Sequence, residues 1–273
     1  MRSLDAGLPD ASSPAQRALA GKRVLITRPA EQAPELAALL EAEGAEVLTL
    51  AAISIEPAAN YHALDRAIRQ IEQYQWVIFT SVNGVRAVGQ RLAVIGQDWQ
   101  TLKHARVAAI GPATARALRE VGVQPDFVPA EYVAEAITAG IGEVAGLRLL
   151  LPRADIAREA LAIDLRQKGA VVDEIAAYRT VTQPLDQQMI ERVIAKRPDV
   201  VTFTSSSTVR GLLAALSGVN VAEALRGVAV ACIGPITAKT AREAGLTPHI
   251  IAEEYTMPGL TRAIVAYFLP AQS

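Results

Sequence analysis

Val107-Ala-Ala-Ile-Gly-Pro-Ala-Thr-Ala-Arg116 is matched further along the chain by Val230-Ala-Cys-Ile-Gly-Pro-Ile-Thr-Ala-Lys239, and this repeated stretch decides the fold. Each copy is an apolar run, a Gly-Pro break, a Thr, and an Ala-rich segment that closes at a glycine, Gly122 or Gly245. A short apolar run bounded in this way reads as a buried parallel strand. Proline after the glycine fixes φ and lacks the N–H that a first helical turn cannot use, so a helix follows. Such a turn leaves free backbone N–H groups and the positive end of the helix dipole beyond the carboxyl edge of the sheet. Two copies give two similar platforms able to face one anionic ligand.

The likeness spreads outward from there. Gly146-Leu-Arg-Leu-Leu-Leu-Pro-Arg153 echoes Gly21-Lys-Arg-Val-Leu-Ile-Thr-Arg28, and Val201-Thr-Phe-Thr-Ser205 echoes Val77-Ile-Phe-Thr-Ser81. Arg28 and Arg153, Ser81 and Ser205, and Thr114 and Thr237 lie 125, 124 and 123 residues apart. So small a drift marks an internal duplication. Each half supplies strands that alternate with helices, and the class is α/β: two doubly wound parallel-sheet, flavodoxin-like domains. Taken alone, duplication splits the chain near Gly146.

Between the repeats, Glu31 to Glu43 reads as a helix and Glu46 to Leu50 as a strand. Ile53-Ser-Ile-Glu-Pro57 alternates and ends at Pro, as an edge strand or linker does. Phe127-Val-Pro129 reads as a short strand and Tyr132 to Glu143 as a helix. Met1 to Ala20 is small and polar and reads as a loose N-terminal tail without a signal-peptide core. The 273 residues, 51% of them hydrophobic, are enough for about two domains. A formal net charge of -1 speaks against a nucleic-acid-coating protein. One cysteine, Cys232, fits a reducing compartment and a buried inert thiol. His62, His104 and His249 are scattered without ligand spacing, so no metal is expected. No apolar run reaches membrane-spanning length, and a cytoplasmic protein is expected.

Ligands of open parallel sheets sit beyond the carboxyl ends of the strands. The residues placed there are Thr27-Arg28, Thr80-Ser81, Thr114, Pro152-Arg153, Thr204-Ser205-Ser206-Ser207 and Thr237. Hydroxyls, backbone donors and a few arginines suit a ligand with several carboxylates or phosphates. Each Ser or Thr has the competing use of a helix N-cap. Arg86 and Arg210, on the helices after the Thr-Ser turns, read as solvated faces. Tyr178 stands alone beside a strand exit in a chain with only 4% aromatic residues. No dinucleotide or P-loop glycine motif and no Ser-His-Asp arrangement is found. What remains is an enzyme for a polyanionic substrate or, alternatively, a non-enzymatic two-lobed binding protein for a polyanionic metabolite.

These residues, together with Ala177-Tyr-Arg-Thr180, closely resemble the uroporphyrinogen-III synthase family from about Gly21 to Phe268. The resemblance implies cyclisation of hydroxymethylbilane, with loss of water and inversion of the last pyrrole ring, in heme biosynthesis and without a cofactor. It implies interleaved domains: residues 21–52 with 183–273, and residues 58–177, joined by linker strands at 53–57 and 178–182, after a tail of residues 1–20. Tyr178 matches the family tyrosine and is the implied proton donor. Arg28, Ser81, Thr114, Arg153, Ser205, Ser206 and Thr237 are the implied substrate contacts. A monomer is expected, acting on a small-molecule substrate and in transient contact with the preceding pathway enzyme.

Overall fold

The computed structural model describes residues 17–157, 159–216 and 224–269. Its strands are β1 (Arg23–Ile26), β2 (Glu46–Thr49), β3 (Ile53–Pro57), β4 (Trp76–Phe79) and β5 (Arg106–Ala109). They continue with β6 (Arg148–Ala154), β7 (Val171–Thr182), β8 (Val200–Phe203), β9 (Ala229–Cys232) and β10 (Pro248–Ile251). Two five-stranded sheets result, ordered β10-β9-β8-β1-β2 and β3-β7-β6-β4-β5. Every pairing is parallel except that of β3 with β7. The first sheet thus joins strands from both ends of the chain, and the split near Gly146 that duplication alone implies is not the arrangement found.

Burial on both faces explains the apolar runs. Along β1, Val24 and Ile26 pack into one core while Leu25 packs into the other. Along β4, Trp76 and Ile78 point one way, and Val77 and Phe79 the other. Period-two alternation between two helix layers makes every position apolar, which is what distinguishes these strands from half-exposed ones.

The two-strand linker is an antiparallel ribbon. β3 pairs with the second part of β7 from Ile53 opposite Thr182 to Pro57 opposite Tyr178. The first part of β7 runs parallel to β6. β3 is the sheet edge, as its proline allows, but Ile53 is buried, because the helix Ser206–Ala215 brings Gly211 against it. A Cβ at Gly211 would lie 2.4 Å from Ile53 Cγ2, so only glycine lets the helix sit this close to the linker.

Three expectations change. Residues 1–16 of the expected tail lie outside the described residues, but the tail does not extend to residue 20. Leu19 is fully buried beside Val24 and Leu40, and its N–H donates to the Glu43 carbonyl at 2.9 Å. Leu19 stands between Ala18 and Ala20 just before Gly21, and one large apolar residue in so short a stretch carries no periodicity, so the pattern did not flag it. Phe127 makes only an isolated bridge to Ala108 rather than a strand. The helix read from Tyr132 to Glu143 covers only Ala134–Gly140, and Gly142, at φ +88°, lies beyond its end. Among the described residues no helix is long and apolar enough to cross a membrane.

Leu19→Ala should therefore lower stability by about 2–5 kcal/mol, as for other fully buried leucines. Urea unfolding checks this; a change under about 0.5 kcal/mol would mean that the segment does not contribute to the core.

Candidate active site

The carboxyl ends of β1, β8 and β9 and those of β4, β5 and β6 open onto one cleft of about 920 Å³. Ile53, Ile55, Tyr178 and Thr180 of the linker ribbon line it as well. Arg28, Ser81, Thr114, Arg153 and Tyr178 all border this space, as do Ser205, Ser206 and Thr237.

The Gly-Pro platforms face into it. The helices Pro112–Glu120 and Pro235–Glu243 start on Gly111 and Gly234, in extended backbone and without a side-chain cap. Their first N–H groups consequently have no partner within the helix. Thr114 and Thr237, each the third residue of its helix, are buried, at 3% and 4% exposure. Among the described residues neither hydroxyl makes a hydrogen bond, so the competing use of these threonines as caps does not apply. Each platform presents a hydroxyl, free amides and a helix dipole to the same space.

The other two turns are built differently. Ser81 caps the helix Val82–Val94 by accepting from Gly84 N–H at 3.0 Å. Ser205 caps the helix Ser206–Ala215 by accepting from Thr208 N–H at 3.2 Å, while Thr208 Oγ1 accepts from the Ser205 N–H at 3.3 Å. This reciprocal box leaves Ser205 Oγ also bonded to Ser207 Oγ at 2.8 Å, and Ser206 Oγ is bonded to Thr240 Oγ1 at 2.7 Å. The second turn is thus a closed hydroxyl network. The first keeps one interaction pointing inward, because Ser81 Oγ lies 3.0 Å from the Tyr178 hydroxyl.

Tyr178 is aimed by a bulge. In the β6–β7 pairing Arg153 faces Ala176 and Ala154 faces Tyr178, so Ala177 is the extra residue. A bulge re-aims the side chains around it, and here it makes both Ala177 and Tyr178 buried. Burial pushes the Tyr178 phenol above its ordinary range, against opposing pulls from the Ser81 hydrogen bond and the Arg153 charge. The phenol therefore stays protonated at neutral pH.

The two arginines differ. Arg153 is buried and paired with Glu174, which also holds Arg166 at 2.9 Å. Burial lowers the affinity of its guanidinium for the proton, and the Glu174 charge works against that. Its place is beside Tyr178, committed to a carboxylate of its own sheet. Arg28 is also shifted down, first by burial. Its NH1 donates to Met257 Sδ at 2.8 Å and lies 3.5 Å from Glu35, and its buried Nε has no hydrogen-bond partner among the described residues. An unmet donor beside a weak sulfur acceptor makes Arg28 the better anion contact of the two.

Sequence reasoning missed other groups. Arg86 and Arg210, read as solvated faces, are exposed but border the cleft, five residues after Ser81 and Ser205. Tyr132 and Tyr255 meet across it, with ring centroids 5.4 Å apart at 88°. Gln32 Nε2 donates to Asn83 Oδ1 at 2.9 Å, joining the two halves. The signal for both matched pairs was available, since Arg86 and Arg210 lie 124 residues apart and Tyr132 and Tyr255 lie 123 apart.

The chain is similar to known proteins along most of its length. The sequence model of the uroporphyrinogen-III synthase HemD family matches residues 34–262. The chain is 38% identical over 257 residues to a uroporphyrinogen-III synthase of Synechococcus elongatus, covering 92% of this chain and 97% of that one. It is 32% identical to a putative uroporphyrinogen-III synthase of Methanothermobacter thermautotrophicus over 88% of this chain and 96% of that one. The fold is similar to that of a mutant uroporphyrinogen III synthase from Thermus thermophilus, with a TM-score of 0.65 at 21% identity, covering 90% of this chain and 98% of that chain.

The contrast between the turns can be measured. Thr114→Val and Thr237→Val each delete a hydroxyl that bonds to nothing in the fold, so stability should change by less than about 0.5 kcal/mol. Ser205→Ala removes a cap and should cost about 1 kcal/mol. Equal losses in thermal or urea unfolding for all three would mean that the threonines also hold their helices.

Proposed function

The chain belongs to the uroporphyrinogen-III synthase family, a hydro-lyase of tetrapyrrole biosynthesis, and from that premise we propose how its cleft handles hydroxymethylbilane. The carboxylates of the substrate meet the free N–H groups and hydroxyls at Thr114 and Thr237, with Arg28, Arg86 and Arg210 supplying charge. Ser81, Ser205 and Ser206 shape the rim and add hydroxyls where their caps leave room. Arg153, held by Glu174, acts through the field it places on Tyr178.

Loss of hydroxide from the pyrrolylmethanol end is driven by the lone pair of the pyrrole nitrogen. The C–O bond breaks, Tyr178 gives its proton, and water leaves with a cationic, N-protonated azafulvene behind. Ser81 Oγ, which already accepts from Gly84, donates to Tyr178 and steadies the phenolate. The azafulvene methylene is attacked by the carbon of the last pyrrole that already carries the methylene bridge. That bridge bond breaks and re-forms at the ring's other α-carbon, and the phenolate recovers the proton this carbon sheds as the ring becomes aromatic again. The net change is ring closure with inversion of the last ring and release of one water. Catalysis is positioning plus one proton transfer. The observation that carries this reading is the 3.0 Å contact of Ser81 with a buried phenol bordering a donor-rich cleft.

We further place residues 21–52 with 183–273 in one domain and residues 58–177 in the other, with 53–57 and 178–182 as linkers; the sheet memberships support this division. We propose that the enzyme acts as a monomer. We place it in the cytoplasm, where transient contact with the preceding pathway enzyme would deliver the unstable bilane; the single cysteine supports a reducing compartment.

Freshly made hydroxymethylbilane should give uroporphyrinogen III well above the spontaneous type I background. Tyr178→Phe should fold normally and lose about 10²-fold in rate or somewhat less, with type I product rising at the expense of type III. Wild-type rate and isomer ratio in that variant would remove Tyr178 from the chemistry. Only type I product from the unaltered protein would contradict the activity itself.

A further inference from the structure

Tyr132 and Tyr255 are a matched pair that nothing above uses. Each lies against the glycine of its own platform. A Cβ on Gly111 would stand 3.1 Å from Tyr132 Cγ, and one on Gly234 would stand 3.0 Å from Tyr255 Cδ1. The backbone at both glycines is extended, at φ -172° and 179°, so any residue could adopt it. What requires glycine there is the approach of the ring. Among the described residues neither phenol hydroxyl makes a hydrogen bond, so the rings are held by their faces. One comes from each half of the duplication, and they touch edge to face at 5.4 Å, within the range favoured for aromatic pairs.

Apart from Tyr178, these are the only aromatic side chains bordering the cleft among the described residues, and Tyr178 is 8% exposed. The rest of the wall offers hydroxyls, amides and charge, which suit carboxylates but not the flat, electron-rich faces of pyrroles. We propose that Tyr132 and Tyr255 form an aromatic seat for one pyrrole ring of the substrate, which takes the place of the contact the two rings make with each other. The proposal rests on the cleft's reading as a bilane site. Seating one ring between the platforms fixes where that ring stands relative to the Ser81–Tyr178 pair and thereby which carbon closes. Both tyrosines are positioning residues.

The test compares Tyr132→Leu, Tyr255→Leu, Tyr132→Phe, Tyr255→Phe and Gly111→Ala, each with fresh hydroxymethylbilane and with KM, kcat and isomer ratio read together. Each Leu variant should raise KM about two- to tenfold and increase the share of type I product. The Phe variants should match the unaltered protein, because the hydroxyls are unused. Gly111→Ala should resemble Tyr132→Leu, because its methyl pushes the ring off its place; it keeps the proposal testable if a Leu variant folds poorly. Unchanged or lowered KM with an unchanged isomer ratio in folded Leu variants overturns the seat, as does equal damage from Phe and Leu. In either case a wild-type protein that still makes type III product leaves the assigned activity standing. Failure of the unaltered protein to make type III product overturns both.

Discussion

The first N–H groups of a helix have no partner within it, and this fold aims two such helix starts, at Pro112 and Pro235, into the same space. That single constraint organises the rest. Parallel strands must be buried on both faces, so their turns are the only places where polar groups can gather. The duplication supplies the turns in pairs, and bringing the pairs face to face concentrates uncompensated donors in one cleft. Burying such groups without a partner costs free energy, which a ligand rich in carboxylates recovers on binding.

The second requirement of the proposed chemistry is a proton, and on that proposal it comes from the linker. Tyr178 stands where β7 stops pairing with β6 and begins pairing with β3, at a bulge that leaves two successive residues buried. The element that connects the two sheets is therefore the one that carries the phenol. Any shift of one half against the other acts on the ribbon in which Tyr178 sits. Among the described residues the side-chain connections across the cleft are small: one hydrogen bond, Gln32 to Asn83, the exposed pair Glu35–Arg116 at 3.6 Å, and the tyrosine contact. An exposed pair of this kind contributes little, so a ligand can readily compete with these contacts.

Much of the fold was legible because the physics is repetitive. Apolar runs ended by Gly-Pro, and an offset that drifts from 125 to 123 residues, identify parallel strands and a duplication without any outside information. What was not legible depended on tertiary context. Leu19 is one large apolar residue between two alanines, too short a pattern to show a period, and only the neighbouring sheet makes it part of the core. The interleaving of the chain came from family resemblance, since periodicity is blind to which strand pairs with which. At the site, strand-end residues could be picked out, but their present bonds could not. Among the described residues Thr114 and Thr237 have no hydrogen-bond partner on helices that start at glycine, whereas Ser205 caps its own helix and Ser206 bonds Thr240 of another. Tyr132 and Tyr255 escaped because each lies before a helix in an irregular stretch, even though their spacing repeats that of the platforms.

The central claim is that one ligand is held by both platforms at once. The most direct measurement is a crystal structure with an unreactive linear bilane lacking the terminal hydroxyl. The account predicts substrate carboxylates within hydrogen-bond distance of the N–H groups or hydroxyls at both Thr114 and Thr237, with the ligand's reacting end beside Tyr178. A bilane bound to the rim of only one sheet, or one whose end lies away from Tyr178, would contradict it.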